Sequence, residues 1–200
     1  MNHWDERYGV EEYYYGVEPN DFLREQSGML PRGREVLCLG EGEGRNAVFL
    51  AALGFTVTAV DQSPVGLGKA RALAGSRGVR IDTVVADLAN WALGSSRWGG
   101  IVSIWCHLPR TLRARVHREV ATALEPGGVF ILEAYTPAQL KFRTGGPTDP
   151  ALMPTLEDLR EELAGLELVV GHECERVIHE GRGHDGLSAT VQVVARRTAR

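Results

Sequence analysis

A glycine-rich segment near residue 40 constrains the fold of this chain more than any other feature. A short apolar run is followed there by three alternate glycines and an amphipathic stretch, and a second apolar run ends in an acid about 20 residues after the first glycine. The glycines are Gly40, Gly42 and Gly44, and the acid is Asp61. This order predicts a strand, a tight turn, a helix and a second strand ending in a carboxylate, which is typical of a site for a nucleoside-type ligand.

Two kinds of ligand fit such a turn. The segment from Gly42 to Ala47 matches the glycine pattern that binds the pyrophosphate of a dinucleotide, so a nicotinamide-dependent oxidoreductase is one alternative. Glu41 and Glu43 argue against it, because a like-charge pair at contact distance costs about 1 kcal/mol in bulk water and about 4 kcal/mol at an effective dielectric constant of about 20. S-adenosylmethionine, a nucleoside with cationic groups, suits this acidic loop better.

Several segments resemble class I S-adenosylmethionine-dependent methyltransferases, in the order in which that family carries them. The glycine turn resembles the family's first motif, and Asp61 resembles the ribose-binding acid of the second. Val84–Leu88 resembles the third motif, and the segments 101–109 and 124–132 resemble the fourth strand and the turn and strand after it. The resemblance covers nearly the whole chain and implies S-adenosylmethionine as the cofactor.

The resemblance also implies a set of cofactor-binding residues. Asp87 is expected to meet the adenine amino group and Leu88 to lie against the ring. The predicted cofactor-binding residues are Trp4, Tyr15, Gly40, Glu41, Gly42, Gly44, Arg45, Asn46, Asp61, Gln62, Ser63, Asp87, Leu88 and Cys106.

A narrower resemblance concerns the N-terminal part of the chain. Trp4–Tyr8, Tyr15–Phe22 and the loop sequence from Gly42 to Ala47 are similar to small bacterial methyltransferases of the tellurite-resistance type. This similarity implies a chalcogen oxyanion, such as tellurite or selenite, or a thiol as the methyl acceptor.

The first strand departs from the family pattern at one position. The family usually has an acid two residues before the first glycine, where this chain has Cys38. A contact to the methionine ammonium is therefore expected to be missing there, and Glu41 is the candidate replacement.

The remaining apolar runs predict an α/β fold. Runs at 35–39, 56–60, 83–86, 101–105, 129–133 and 167–170 alternate with helical patterns, and the stretches 173–180 and 187–196 flank a turn-rich connection. We predict one domain over residues 1–200, with a Rossmann-like, doubly wound, mainly parallel sheet and a C-terminal antiparallel hairpin. The resemblance implies the seven-stranded class I methyltransferase fold.

Two segments outside this core are candidates for ligand contact. Residues 1–28 are rich in aromatic residues and are predicted to cap the cofactor site, with Trp4 and Tyr15 as the contacts. Residues 136–154 contain several prolines and glycines, which predicts an irregular loop near the substrate mouth. Arg143 and Lys141 in this loop are candidates for holding an anionic substrate, and Thr155 is predicted to cap the next helix.

Methyl transfer needs an aligned nucleophile and, if that nucleophile carries a proton, a base within reach. His107, just past the fourth strand, is the leading candidate because an ordinary histidine titrates near neutral pH. Tyr135, which ends a strand on the ligand side, is a second candidate. His184 is a candidate for substrate binding, although its place in a hairpin turn predicts solvent exposure.

Composition narrows the class of protein. The net charge of −4 argues against a nucleic-acid partner. No long apolar span suggests a membrane segment, so a cytoplasmic protein with a small-molecule acceptor is expected. The three cysteines are far apart and show no metal-ligand spacing, which predicts free thiols and no metal. A cofactor-binding protein without catalysis is the remaining alternative.

Overall fold

The structure is a computed structural model that describes residues 3–199. Its helices are α1 (His3–Tyr8), α2 (Asp21–Gln26), α3 (Arg45–Ala52), α4 (Pro64–Ser76), α5 (Arg110–Ala123) and α6 (Leu156–Glu162). Its strands are β1 (Glu35–Leu39), β2 (Thr56–Asp61), β3 (Asp82–Val85), β4 (Trp98–Ile104), β5 (Leu124–Tyr135), β6 (Glu167–Glu180) and β7 (His184–Arg196). Short 3-10 turns lie at Ser27–Met29, Pro137–Lys141 and Pro150–Leu152.

The strands form one sheet in the order β3-β2-β1-β4-β5-β7-β6. The pairs from β3 to β5 are parallel, and β7 pairs antiparallel with both β5 and β6. This topology confirms the predicted doubly wound, mainly parallel sheet with an antiparallel C-terminal hairpin.

The predicted division of residues 167–180 into two stretches is wrong. The structure has a single strand, β6, with a shift in register between Leu168 and Val170. Gly171 lies inside this strand, where a Cβ would come within 2.5 Å of the Leu168 side chain. Gly171, which suggests the end of a strand in the sequence, instead lies within β6 and allows Leu168 to pack closely against the backbone.

Both faces of the sheet are covered, which explains why the parallel strands read as continuous apolar runs. One core cluster packs α5 and α6 against the sheet through residues such as Val116, Val120 and Leu159. The other packs the opposite face against α2, α3 and α4 through residues such as Leu23 and Leu50. The sheet is therefore the rigid layer that holds the loops at its carboxyl edge.

Local sequence signals set the starts of two helices. Ser63 accepts a hydrogen bond from the Gly66 N–H and precedes Pro64, the first residue of α4. Thr155 and Asp158 form a reciprocal capping box at the start of α6, which confirms the predicted cap. None of the helices in the described part of the chain is long and apolar enough to cross a membrane.

Candidate active site

The candidate site lies at the carboxyl edge of the parallel strands, between β1 and β4. The chain runs from β1 outward to β2 and β3 and then returns to β4 on the other side of β1, so this is the point where the strand order reverses. Ligands of open α/β sheets bind at such a point. A cavity there, called the cofactor cavity below, is lined by Gly40 after β1, Asp61 at the end of β2 and Trp105 after β4.

The glycines of the turn allow the backbone to approach other groups closely. Gly40 has a φ of +59°, and a Cβ there would lie 2.7 Å from the Cys106 sulfur. Gly44 has a φ of +90°, and a Cβ there would lie 2.4 Å from the Ala70 side chain. Side chains at either position would push these groups apart, so the turn needs glycine for both conformation and space.

Asp61 is held by the backbone of the two neighbouring turns. Its carboxylate accepts hydrogen bonds from the Gly42 N–H at 2.9 Å and the Ser63 N–H at 2.8 Å. Burial raises the pKa of Asp61 above its ordinary value, although these backbone hydrogen bonds oppose the shift. A carboxylate accepts about four hydrogen bonds, so acceptor capacity remains on Asp61, which lines the cofactor cavity.

Glu41 points to the start of α3. Its carboxylate accepts a hydrogen bond from the Ala47 N–H at 2.7 Å, and it lines the cofactor cavity. Burial raises the pKa of Glu41 to about 7, while the Ala47 N–H and the Arg45 charge oppose that shift. Glu41 also interacts with the buried Cys38 thiol. Its carboxylate therefore lies next to position 38, where the family usually has an acid.

The second acid of the turn is neutralised within the protein. The Glu43 carboxylate lies 2.6 Å from the Lys69 ammonium, with both side chains largely buried. Because of this pair, Glu43 is a weaker argument against a dinucleotide pyrophosphate than its charge alone suggests. Glu41 is a stronger argument against a pyrophosphate, because its carboxylate occupies the helix N-terminus where a pyrophosphate would bind.

Aromatic residues of the N-terminal segment close one side of the cofactor cavity. The rings of Trp4 and Tyr8 stack with centroids 5.8 Å apart, as their spacing of one helical turn allows. The Tyr8 hydroxyl would lie 2.6 Å from a Cβ at Gly42, so this ring covers the glycine turn. Tyr15 stacks on His184 at 4.7 Å. The predicted contacts Trp4 and Tyr15 both line the cavity.

Arg45 and Asn46 tether this N-terminal segment to the glycine turn. Arg45 forms an ion pair of 2.5 Å with Glu180 and donates to the Glu18 carbonyl. Asn46 accepts a hydrogen bond from the Asn20 N–H at 2.9 Å. Both residues also line the cofactor cavity, so their predicted role in cofactor binding is joined to a structural one.

A buried polar network supports the floor of the site. Glu180 accepts hydrogen bonds from the Trp105 indole at 2.6 Å and from the Asn20 amide at 2.9 Å. The same Asn20 amide donates to Glu133, whose fully buried carboxylate forms a bidentate pair with Arg176. These charges are paired, as buried charges must be, and they link the N-terminal segment to β5 and the hairpin.

His107 is engaged by the backbone on both ring nitrogens. Its Nδ1 lies 3.0 Å from the Trp105 carbonyl oxygen, and its Nε2 accepts a hydrogen bond from the Tyr135 N–H at 3.1 Å. Burial lowers the pKa of His107 to about 4. This geometry is that of a residue that fixes the turn after β4, and it argues against the predicted role as general base. His107 nevertheless lines the cofactor cavity.

The predicted solvent exposure of His184 is wrong. His184 is the first residue of β7, the hairpin turn occupies residues 181–183, and the side chain is 5% exposed. Its Nδ1 lies 2.7 Å from the Tyr135 hydroxyl, and its ring packs against Tyr15 and Trp105. The tertiary fold packs the N-terminal segment against the hairpin, and this contact buries His184, which an isolated hairpin would expose.

A second, larger cavity adjoins the cofactor cavity and is called the chamber below. It has a volume of about 710 Å³ and lies between the N-terminal segment, the loop after β5 and the hairpin turn. Trp4, Tyr15, Trp105, His107 and His184 line both spaces. The chamber wall also includes Arg143, the predicted substrate contact.

The structure thus brings most of the predicted residues together. Those that line the cofactor cavity are Trp4, Tyr15, Gly40, Glu41, Arg45, Asn46, Asp61, Gln62, Cys106, His107 and His184. Those that support it from outside are Gly42, Gly44 and Ser63, whose backbone or packing holds the turn and Asp61, and Tyr135 through His184.

Asp87 and Leu88 lie apart from the described lining of this cavity. Asp87 is exposed, and its carboxylate accepts a hydrogen bond from the Ala89 N–H at 2.8 Å. Leu88 is 7% exposed and packs in the core cluster next to α5. Their contacts with adenine therefore remain predictions.

Sequence reasoning did not select six residues that line the cofactor cavity: Tyr8, Gly16, Glu43, Ile104, Trp105 and Leu108. Tyr8 carried a usable signal, since Trp4 and Tyr8 are one helical turn apart. Trp105 has a φ of +56°, which is unusual for a tryptophan and places its ring at the junction of the two cavities. That conformation has no signal in the sequence.

Comparison with known proteins agrees with this geometry. The family model described as "Methyltransferase domain" matches residues 36–128. A curated relative, the 2-heptyl-1-hydroxyquinolin-4(1H)-one methyltransferase of Mycobacteroides abscessus, is 29% identical over 128 residues, which are 62% of this chain and 56% of that protein. The match thus spans only about half the length of this relative.

Solved structures share the fold over nearly the whole chain. The CcbJ methyltransferase from Streptomyces caelestis has a TM-score of 0.72 at 24% identity and covers 98% of this chain and 96% of its own. TehB from Haemophilus influenzae has a TM-score of 0.70 at 18% identity and covers 98% of this chain and 66% of its own. At these identities the likeness establishes the fold.

Residues 36–128 therefore match a methyltransferase domain, and the seven-stranded sheet has the fold of class I S-adenosylmethionine-dependent methyltransferases, as the motifs predicted. S-adenosylmethionine is the cofactor of this class, and the site fits it. Glu41 is a partly buried carboxyl without a salt bridge to a basic side chain of the described residues, which suits a ligand with cationic groups. Gly40 lines the cofactor cavity with backbone atoms only.

Proposed function

We propose that the protein transfers a methyl group from S-adenosylmethionine to a small-molecule acceptor bound in the chamber. The observation that carries this proposal is the continuity of the two spaces: the cofactor cavity at the switch point of the sheet opens on the chamber through shared aromatic residues. When bound, S-adenosylmethionine supplies an electrophilic methyl group. The protein's part is to align the acceptor with that carbon and to exclude water.

The proposed roles of the residues follow from their positions. Asp61 holds the ribose hydroxyls with its remaining acceptor capacity, and Glu41 holds the methionine ammonium. Trp4 and Tyr15 cover the cofactor from the N-terminal side. Arg143 and His184 face the acceptor, and Tyr135 positions His184.

A chalcogen oxyanion or a thiol is the acceptor that the narrower sequence resemblance implies. A cytoplasmic enzyme without nucleic-acid or membrane partners fits that function. The size of the chamber favours a larger acceptor, because about 710 Å³ lies within the range of pockets for drug-sized ligands.

Calorimetric titration with S-adenosylmethionine, S-adenosylhomocysteine and NADH tests the cofactor. Saturable binding of the first two alone is the expected result. Binding of NADH alone would replace the proposal with a nicotinamide-dependent oxidoreductase.

Transfer of a labelled methyl group tests catalysis. The acceptors to compare are tellurite, selenite, a simple thiol and 2-heptyl-1-hydroxyquinolin-4(1H)-one, the compound in the name of the curated relative. Labelled product with any of them supports the proposal. Cofactor binding without transfer to any acceptor in a broad panel would favour a cofactor-binding protein without catalysis.

A further inference from the structure

Aromatic rings from three parts of the chain form the walls of the chamber. Tyr14 and Tyr15 come from the N-terminal segment, Trp105 follows β4, and His184 begins β7. Tyr15 stacks on His184 at 4.7 Å, and Trp105 lies 5.0 Å from the same imidazole. Walls of this kind favour flat ligands, because stacked rings gain contact area and a favourable quadrupole arrangement.

The charge on the chamber wall is positive in sum, because three arginines outnumber the two aspartates in its lining. Asp185 lies 2.6 Å from His179, and Asp149 accepts a hydrogen bond from the Ala151 N–H at 2.9 Å. The Arg143 guanidinium, by contrast, has no hydrogen-bond or ion-pair partner among residues 3–199. A cation left free on the wall of a chamber is a contact for an anionic ligand.

Two further arginines add to this positive charge. Arg7 donates to the Tyr15 hydroxyl at 2.8 Å, and its guanidinium lies over the Trp4 ring. Arg182 is 3.6 Å from Glu12 at the exposed rim. These contacts hold the two arginines at the mouth of the chamber without cancelling the field of Arg143.

The predicted proton carriers His107 and Tyr135, and the neighbouring His184, are poorly suited to remove a proton. Both ring nitrogens of His107 lie within hydrogen-bond distance of backbone groups. Tyr135 and His184 share a hydrogen bond of 2.7 Å. Burial lowers the pKa of His184 well below its usual value and raises that of Tyr135. An acceptor that must lose a proton to these groups would react slowly, since an efficient base has a pKa near the working pH.

We infer that the methyl acceptor is a planar aromatic compound with an oxygen or carboxyl group that is already ionised near neutral pH, held against the rings of the chamber wall and paired with Arg143. This inference rests on the proposed function. The anionic oxygen donates its electron pair to the methyl carbon as the carbon–sulfur bond breaks. The oxygen and the sulfonium are both neutralised, and no proton has to be removed.

Binding of model compounds to protein saturated with S-adenosylhomocysteine tests the inference without turnover. The probes are 1-hydroxy-2-naphthoate, its neutral analogue 1-naphthol, the non-planar anion cyclohexanecarboxylate, and tellurite. We expect 1-hydroxy-2-naphthoate to bind about tenfold or more tightly than each of the others. Calorimetry gives all four dissociation constants in one buffer.

A pair of variants in the same loop tests the ion contact. Arg143→Ala should weaken binding of 1-hydroxy-2-naphthoate by about 2- to 5-fold, as for a partly exposed ion pair, and should leave 1-naphthol unchanged. Lys141→Ala is the matched control, because Lys141 pairs with Glu175 at 2.6 Å outside the described lining of the chamber. Both side chains are exposed, so both variants are expected to fold, which thermal melting checks.

Each contrary result overturns a defined part of the inference. Equal binding of 1-naphthol would remove the requirement for an anion, and equal binding of cyclohexanecarboxylate would remove the requirement for a planar ring. Tight binding of tellurite alone would replace the aromatic acceptor with an oxyanion. Failure to bind S-adenosylhomocysteine would overturn the proposed function, and the inference with it.

Discussion

The Tyr135 hydroxyl and Nδ1 of His184 lie 2.7 Å apart, and this hydrogen bond joins the end of β5 to the start of β7. Both side chains are buried. The contact holds the imidazole against Tyr15 and Trp105, at the junction of the cofactor cavity and the chamber. The position of His184 in the site therefore depends on a partner 49 residues away in the sequence.

Tyr135→Phe should lower the free energy of unfolding by about 1–3 kcal/mol, because the variant leaves a buried nitrogen of His184 without this partner. Urea denaturation measures the change. Tyr14→Phe is the control, since no hydrogen bond to the Tyr14 hydroxyl is found among the described residues. Equal stability of the two variants would mean that the Tyr135–His184 hydrogen bond does not stabilise the fold.

Asp61→Asn should weaken binding of S-adenosylmethionine by about 1.5–3 kcal/mol, the range for hydrogen bonds to a charged group. The amide replaces one acceptor with a donor that faces a backbone N–H of Gly42 or Ser63. Calorimetry measures the dissociation constant, and Asp82→Asn, at an exposed position at the start of β3, is the control. An unchanged constant for Asp61→Asn would refute the ribose contact.

Glu41 should make cofactor binding depend on pH. Burial raises its pKa in the free protein to about 7, whereas a cationic ligand favours the ionised carboxylate. Binding should therefore strengthen between about pH 6 and about pH 8 and release protons at the lower pH. The charged neighbours Arg45 and Asp61 act in opposite directions on this carboxyl, and the Cys38 thiol stays neutral because its pKa is raised.

Glu41→Gln tests this expectation. The variant retains an acceptor for the Ala47 N–H but has no charge to titrate, so the pH dependence of binding should shrink. Because a raised pKa in the folded state costs stability as pH rises from about 4.5 to about 7, the same variant should melt at a higher temperature than the parent near pH 8. Calorimetry in buffers of different ionisation enthalpy counts the released protons; an equal count in parent and variant would contradict the assignment.

His107→Ala should lower stability and leave the pH profile of methyl transfer unchanged in shape. The variant removes the acceptor of the Tyr135 N–H, at an expected cost of about 1–3 kcal/mol. A side chain with a pKa of about 4 does not titrate near neutral pH. His179→Ala, at an exposed position, is the control. Lost turnover with unchanged melting temperature and cofactor affinity would restore His107 as the general base.

Much of the fold was readable from local patterns. The glycine turn, the apolar runs of the parallel strands and the capping residue Thr155 each predict a structure that depends on neighbours close in sequence, and the structure confirms them. The same holds for Asp61, whose place at the end of β2 follows from the length of its strand. These features could be predicted because strand period, turn geometry and capping are set within a few residues.

The chemistry of individual side chains was less predictable. His107 and His184 look alike in the sequence as possible proton carriers. Long-range contacts place His107 where it stabilises a turn and place His184 in the wall of the chamber. Arg45, predicted to bind the cofactor, is also the partner of Glu180 across 135 residues. A pKa or a hydrogen bond of this kind depends on which segments meet in space.

The sequence by itself determined the class of fold, the cofactor class and the edge of the sheet where the candidate site lies, because motif spacing and hydrophobic period are local properties. Tertiary structure alone decided that His184 is buried, that Tyr8 and Trp105 shape the cavity, and that a chamber adjoins it in which Arg143 has no partner among the described residues. The reason is physical: burial, desolvation and ion pairing arise only when segments far apart in the chain are packed against one another.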